Sequence, residues 1–321
     1  MTILFISEDG DPQRWLNAVT EHLEHLEHLE GFDAANDFRI WPDDGGNPAA
    51  VDIALVRLPR PGVLAGYPNL KAVLNLGAGV DDLLADPAFP RHVPLGRMVD
   101  DSLSGGMAEY IVHGVLHFYR AFPAYARGQK EKRWQPLAAV PDPGRWPVGI
   151  LGLGVMGRAA IRALGPFGFP LLGWSRTAKD IEGVEVFAGF ENLGHFLSRS
   201  RILICLLPLT PETRNILDRD AFGHLPEGAY VINAARGGHL VEEDLIAALD
   251  DGHLEGALLD VFRSEPLAAE SPLWNHAKVI ATPHVASISP SRNFAAEIAN
   301  DITRVRAGGP PRHLVNMKSG Y

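Results

Sequence analysis

Three short segments carry side chains suited to chemistry on a small anion. Val231-Ile-Asn-Ala-Ala-Arg-Gly-Gly238 offers Arg236, Leu259-Asp-Val-Phe-Arg-Ser-Glu-Pro-Leu267 offers Asp260 and Glu265, and Thr282-Pro-His-Val-Ala286 offers His284. An arginine clamps a carboxylate in a planar fork. A histidine gives or takes a proton near neutral pH, and a carboxylate beside it holds the imidazolium. Taken singly, each has an ordinary reading: a histidine after a strand is more often structural, and a single Arg or Glu usually sits in a surface pair. What raises them together is position, because each segment follows an apolar run that reads as a buried strand.

A fourth segment fits a dinucleotide. Val148-Gly-Ile-Leu-Gly-Leu-Gly-Val-Met-Gly157 contains Gly152-x-Gly154-x-x-Gly157 after an apolar strand and at the start of a helix. The glycines then serve a tight turn, close backbone approach to a pyrophosphate and helix-on-strand packing, and the helix start offers N–H groups to the phosphates. An NAD site usually places an acidic residue at the end of the next strand. Here that strand end reads Gly173-Trp-Ser175-Arg176-Thr177-Ala-Lys179, with no Asp or Glu. Cations and hydroxyls there favour the 2′-phosphate of NADP(H), with NAD(H) kept as the second cofactor.

These segments need a scaffold of parallel strands. Apolar runs at Thr2–Ile6, Ile53–Val56, Ala72–Asn75, Val148–Leu151, Leu171–Trp174, Ile202–Leu206, Tyr230–Asn233, Gly256–Asp260 and Val279–Thr282 read as buried strands. They alternate with helical stretches at Trp15–Leu29, Met107–Arg120, Gly157–Leu164, Leu193–Ser198, Glu242–Leu249 and Phe294–Arg306. The alternation predicts an α/β protein with parallel sheets covered on both faces. A chain of 321 residues exceeds what one core usually organises. Val99–Gly106 and Ser287–Pro290 read as junctions, so residues 101–285 form an inner domain inserted in an outer one made of 1–100 and 286–321.

Composition removes other classes. The net charge of −10 and the lack of a long basic run argue against nucleic acid and anionic membranes as partners. A single cysteine, Cys205, excludes a disulfide framework within one chain. Met1–Ser7 reads as a first strand rather than a signal peptide, and no run is long enough to span a bilayer, so a cytoplasmic enzyme is expected. The Glu-His-Leu repeat across Glu21–Glu30 reads as part of a helix, and no metal site is expected.

In the order in which they occur, the Rossmann loop, Leu206-Leu-Pro-Leu-Thr-Pro-Glu-Thr213, Ala235-Arg-Gly237, Leu259-Asp-Val-Phe262 with Glu265-Pro-Leu267, and Thr282-Pro-His284 resemble the D-isomer-specific 2-hydroxyacid dehydrogenase family. Trp134-Gln-Pro-Leu137, Trp174-Ser-Arg-Thr177, Ser271-Pro-Leu-Trp274 and the ending Gly320-Tyr321 resemble its glyoxylate/hydroxypyruvate reductase A group. The resemblance spans nearly the whole chain. It implies two Rossmann-like domains, the dinucleotide-binding one inserted in a flavodoxin-like substrate domain, and a substrate lying between them. It implies NADPH-preferring reduction of a small 2-keto acid to the 2-hydroxy acid by hydride transfer to C2. Arg236 matches the arginine that binds the substrate carboxylate and carbonyl, His284 the proton donor and Glu265 its acidic partner. Leu76, Gly77, Ala78 and Gly79 match a loop whose backbone N–H groups receive the carboxylate, with Arg236 and His284 also touching substrate. Gly152, Gly154, Val155, Met156, Gly157, Ser175, Arg176, Thr177, Lys179, Leu207, Pro208, Thr213, Ala234, Ala235, Arg236, Asp260, His284 and Ala286 match the cofactor lining, Asp260 near the nicotinamide carboxamide. The family also implies a homodimer, with Met107–Trp134 as its helix and arm; Phe118, Tyr119, Phe122, Tyr125 and Trp134 are the arm's aromatic residues.

One residue departs from the reductase group. Arg57, in Ala54-Leu-Val-Arg-Leu-Pro59, stands where that group usually has an aromatic residue. Its charge opens a second reading, a dehydrogenase whose substrate has a distal acidic group bound by Arg57. A third reading is a non-enzymatic, dinucleotide-sensing interaction protein. The complete trio of Arg236, Glu265 and His284 argues against it.

Overall fold

The computed structural model describes residues 2–7, 13, 17–19, 21, 37–42, 46–99, 101–136, 141–287 and 291–317. The chain divides into two compact units, Met1–Ser102 with Ser289–Tyr321, and Leu103–Ile288. The helix expected over Trp15–Leu29, the Glu-His-Leu repeat and the Gly320-Tyr321 ending lie largely or wholly outside the described residues.

The first unit is built on β1 (Thr2–Ser7), β2 (Phe38–Ile40), β3 (Val51–Arg57), β4 (Ala72–Asn75) and β5 (Leu95–Arg97), all parallel in the order β2-β1-β3-β4-β5. Ile53 to Val56 are buried one after another, as a strand covered on both faces requires. The helix Ser291–Arg306 belongs to this unit. It buries Phe294, Ala295, Ile298, Ala299, Ile302 and Val305, the recurrence that makes one apolar stripe on a helix.

The second unit holds β6 (Val148–Leu151), β7 (Leu171–Ser175), β8 (Val184–Ala188), β9 (Ile202–Cys205), β10 (Ala229–Asn233), β11 (Leu254–Leu259) and β12 (Val279–Ala281). They form a seven-stranded parallel sheet in the order β12-β11-β10-β9-β6-β7-β8. Strand alternation sorts its side chains onto two faces. Leu151, Leu203, Cys205, Val231 and Leu259 pack with Phe196, Phe222, Leu245 and Leu249. Ile150, Ile204, Ile232 and Leu258 pack with Met107, Ile111, Val115 and Phe118 of the helix Asp101–Tyr119, and with Ala160, Ile161 and Leu164 of the helix Val155–Leu164. Each large side chain buried this way contributes roughly 1.5–3 kcal/mol.

Three strands went unread in the sequence. β2 and β5 are three residues each, and β8 is the sheet edge, half exposed with an outward Glu185. All lack the continuous apolar run that marks a buried strand. The Gly105-Gly106 pair, read as part of a junction, lies inside the helix Asp101–Tyr119, which begins well before the expected Met107. The apolar face continuing to Phe118 overrides the weak propensity of glycine there. Among the described residues no helix is long and apolar enough to cross a membrane.

Candidate active site

In the second unit every strand is parallel, so all carboxyl ends lie on one edge of the sheet, and β6 sits where the strand order reverses. That is where open α/β sheets take ligands. The Gly152–Gly157 turn leaves β6 there. Gly152 has φ +101°, and a Cβ on it would lie 2.6 Å from the Leu206 carbonyl oxygen. A Cβ on Gly157 would lie 1.9 Å from the Gly152 carbonyl oxygen, so only glycine lets the helix seat against the turn. Gly154 is different: it is exposed, and a Cβ there meets nothing within 4 Å. Its open face beside the first turn of the helix Val155–Leu164 fits a pyrophosphate.

The end of β7 carries the polar turn. Ser175 is buried and donates to the Thr177 carbonyl at 2.8 Å, while Arg176 and Thr177 are exposed. Lys179 Nζ donates to the Leu153 carbonyl at 3.0 Å, which brings it back over the glycine turn. Burial and then the Arg158 charge lower its pKa. Arg158 therefore stands near the same turn, a cation that the sequence reading passed over although it directly follows the last glycine. After β9, Leu207 is buried, and Thr213 donates to the Pro208 carbonyl at 2.7 Å. Ala234, Ala235 and Ala286 are buried at neighbouring strand ends, whereas Val155 is half exposed and Met156 partly so.

The structure brings His284 and Glu265, the expected acid–base pair, together. His284 Nδ1 is hydrogen-bonded to Glu265 Oε2 at 2.7 Å. Glu265 Oε1 accepts the backbone N–H of Phe262 at 2.9 Å. Burial pushes the Glu265 carboxyl up, but hydrogen bonds from His284 and Phe262 and the charges of His284 and Arg236 outweigh it. The net pKa is below the usual carboxylate range. Arg236 is thus close enough to be felt at Glu265, and its Nη1 donates to the Ala235 carbonyl at 2.7 Å.

Asp260, 1% exposed, sits underneath. Its Oδ1 accepts from Thr282 Oγ1 at 2.7 Å and from Val285 N at 2.8 Å, and its Oδ2 from Ala286 N at 2.8 Å. Tyr110 hydroxyl meets Thr282 Oγ1 at 2.7 Å, from a helix distant in sequence, which no local pattern announces. This carboxylate holds the turn that presents His284.

In the first unit, β3 and β4 pair Val56 with Asn75, and Leu76 N donates to the Val56 carbonyl at 2.9 Å. Arg57 therefore ends its strand beside the start of the Leu76–Gly79 loop. Asn75 Nδ2 donates to the carbonyls of Gly77 at 3.1 Å and Gly79 at 2.6 Å. Met98 N also donates to Gly77 O at 3.1 Å. The loop carbonyls are thereby tied down. Among the described residues no hydrogen bond is donated by the N–H groups of Gly77, Ala78 and Gly79, which fits a loop made to receive an anion. Asn75, absent from the residues expected at the site, sets that orientation.

Comparison with known proteins agrees with this geometry. Residues 112–286 match the family model described as D-isomer specific 2-hydroxyacid dehydrogenase, NAD binding domain. A glyoxylate/hydroxypyruvate reductase A from Escherichia fergusonii is 43% identical over 100% of both chains. A D-isomer specific 2-hydroxyacid dehydrogenase from Xanthobacter autotrophicus, solved with NADPH and MES, is 42% identical over 100% of this chain and 99% of that one, with a TM-score of 0.91. An NADPH-dependent glyoxylate/hydroxypyruvate reductase from Sinorhizobium meliloti, solved with NADP and sulfate, is 35% identical over 100% and 99%, with a TM-score of 0.87. The two parallel sheets, the glycine turn and the paired His284 and Glu265 are thus accompanied by full-length similarity, and the chain belongs to the D-isomer-specific 2-hydroxyacid dehydrogenase family.

Proposed function

We propose that this enzyme is an NADPH-dependent reductase of small 2-keto acids, with glyoxylate and hydroxypyruvate as its first substrates. The observation that carries the reading is the 2.7 Å bond between His284 Nδ1 and Glu265 Oε2, on the strand edge that also holds Arg236 and the glycine turn. The names of the full-length relatives support the substrate, and the NADPH and NADP held by similar structures support the cofactor.

In this reading Leu103–Ile288 is the dinucleotide-binding domain and the other unit the substrate domain. Gly154, Val155 and Met156 offer backbone donors to the pyrophosphate, and Ser175, Arg176, Thr177 and Lys179 take the 2′-phosphate. Leu207, Pro208, Thr213, Ala234, Ala235, Asp260 and Ala286 line the rest. Bound NADPH supplies the hydride for C2. Arg236 holds the carboxylate and carbonyl in its fork, and the N–H groups of Gly77–Gly79 receive carboxylate oxygens. With Nδ1 facing Glu265, His284 delivers the proton to the carbonyl oxygen from Nε2. Ionised Glu265 orients the ring through Nδ1 before transfer. Arg236 and His284 both act where negative charge develops, so they help most in the transition state. The protein works as a cytoplasmic homodimer in this reading.

A second reading rests on Arg57, which the Val56–Asn75 pairing places beside the Leu76–Gly79 loop. It assigns Arg57 to a distal acidic group of a larger keto acid. A steady-state panel of glyoxylate, hydroxypyruvate and a dicarboxylic keto acid, with NADPH and NADH, separates the two. The first reading expects glyoxylate and hydroxypyruvate to lead, with NADPH preferred. Arg176→Ala should lower kcat/KM for NADPH about ten- to hundredfold, the loss of a charge-assisted bond of roughly 1.5–3 kcal/mol, and barely affect NADH. Equal losses for both cofactors would show that Arg176 does not read the phosphate.

A further inference from the structure

His239 has no place in the chemistry described above, yet its ring touches two segments of the candidate site. It ends the single turn Gly237–His239 that follows Arg236, and it is 0% exposed. Such a position ordinarily goes to an apolar side chain, because a buried imidazole costs free energy unless its nitrogens find partners. Here each nitrogen has one. Nδ1 lies 3.1 Å from the Arg236 carbonyl oxygen, and Nε2 lies 3.2 Å from the Pro208 carbonyl oxygen. Both partners can only accept, so the ring satisfies the two carbonyls at once when each nitrogen carries a proton.

The two carbonyls belong to different strand ends. Pro208 lies in the turn after β9, and Arg236 lies just after β10. Each carbonyl is also held from its own side: Thr213 Oγ1 donates to Pro208 O at 2.7 Å, and Asn233 Nδ2 donates to Arg236 O at 3.1 Å. The His239 backbone is fixed as well, since Leu217 N donates to its carbonyl at 2.9 Å. The ring is a rigid spacer with one end on the turn that carries Pro208 and the other on the residue that carries the guanidinium.

We propose that His239, protonated on both ring nitrogens, is a positioning residue that sets Arg236 through Nδ1 and the cofactor-facing Pro208 turn through Nε2, so that both are in place before ligands arrive. Preorganisation of this kind lowers the cost of binding and of reaching the transition state. The inference rests on the reductase reading for its substrate half, while its cofactor half needs only NADPH binding.

Two substitutions separate the ends of the ring. An asparagine amide stands where Nδ1 stood, and a glutamine amide reaches where Nε2 stood. The measurements are the NADPH dissociation constant, by titration of nicotinamide fluorescence, and the KM and kcat for glyoxylate at saturating NADPH. His239→Asn should keep the glyoxylate KM within about twofold of the parent and raise the NADPH dissociation constant about five- to tenfold, the loss of one ordinary hydrogen bond. His239→Gln should do the reverse, leaving NADPH binding near parental while the glyoxylate KM rises and kcat falls. Thermal unfolding run beside them reports any general loss of stability. Parallel losses on both ligands in the two variants, or no loss in either, would overturn the proposal, because a merely structural histidine does not sort its effects by which nitrogen is replaced. If the parent itself fails to reduce glyoxylate, the reductase reading falls, and the NADPH titration alone decides whether Nε2 holds the cofactor turn.

Discussion

At the scale of single residues, Glu265 and His284 depend on one another. The carboxyl of Glu265 is pushed up by burial and pulled down further by His284, the Phe262 N–H and the Arg236 charge, so its pKa is lowered and it stays ionised through ordinary assay conditions. In the proposed mechanism the ionised partner holds the ring that gives the proton. Glu265→Gln keeps a hydrogen-bonding side chain and removes the charge. It should therefore lower kcat of glyoxylate reduction by about tenfold or more while NADPH binding holds. A kcat within about twofold of the parent would show that Glu265 does not govern the ring. His284→Ala should lower kcat by about 10²–10⁴-fold while NADPH binding holds, since the glycine turn and Arg176 lie elsewhere on the strand edge.

At the scale of elements, the turn after β12 carries His284, the proposed proton donor, in a costly backbone conformation. His284 has φ +52°, a region that non-glycine residues enter at roughly 1–3 kcal/mol. Asp260 makes that conformation stable. Its carbonyl accepts His284 N at 2.8 Å, and its carboxylate gathers Thr282 Oγ1, Val285 N and Ala286 N. Asp260→Ala would strip a buried acceptor from three donors. It should cost about 3 kcal/mol or more in chemical denaturation and should lower turnover by loosening His284. A cost under about 1 kcal/mol would mean that the turn is held by something other than this carboxylate.

At the scale of the whole molecule, the aromatic residues expected in a dimer arm divide into two groups. Phe118 and Tyr119 are buried within their own unit, Phe118 stacking on Tyr230 at 4.5 Å and Tyr119 edge-on to Phe169 at 5.1 Å. Phe122, Tyr125 and Trp134 are exposed, Trp134 at 99%. The proposed two-fold contact therefore rests on these last three alone. Light scattering at micromolar concentration should return a dimer mass, and Phe122→Ser with Trp134→Ser should weaken association by about 30-fold or more, the loss of one buried aromatic anchor of about 2 kcal/mol. A monomeric parent would remove the proposal.

The sequence by itself determined the α/β class, the strands with unbroken apolar runs and the glycine turn, and through its family resemblance it named Arg236, Glu265 and His284 as candidates. Those signals are local: a covered parallel strand must be apolar throughout, and a turn that seats a helix against a strand must be glycine. Tertiary structure alone decided the rest. β2, β5 and β8 are strands because a neighbour pairs with them, whatever their own propensity. Asn75 turns the Gly77–Gly79 carbonyls, Asp260 and Tyr110 brace the His284 turn, and His239 bridges two strand ends. These roles rest on hydrogen bonds across distant segments, Tyr110 and Thr282 being 172 positions apart. Such bonds leave no periodicity in the sequence. They become visible only when parallel strands bring their carboxyl ends to one edge.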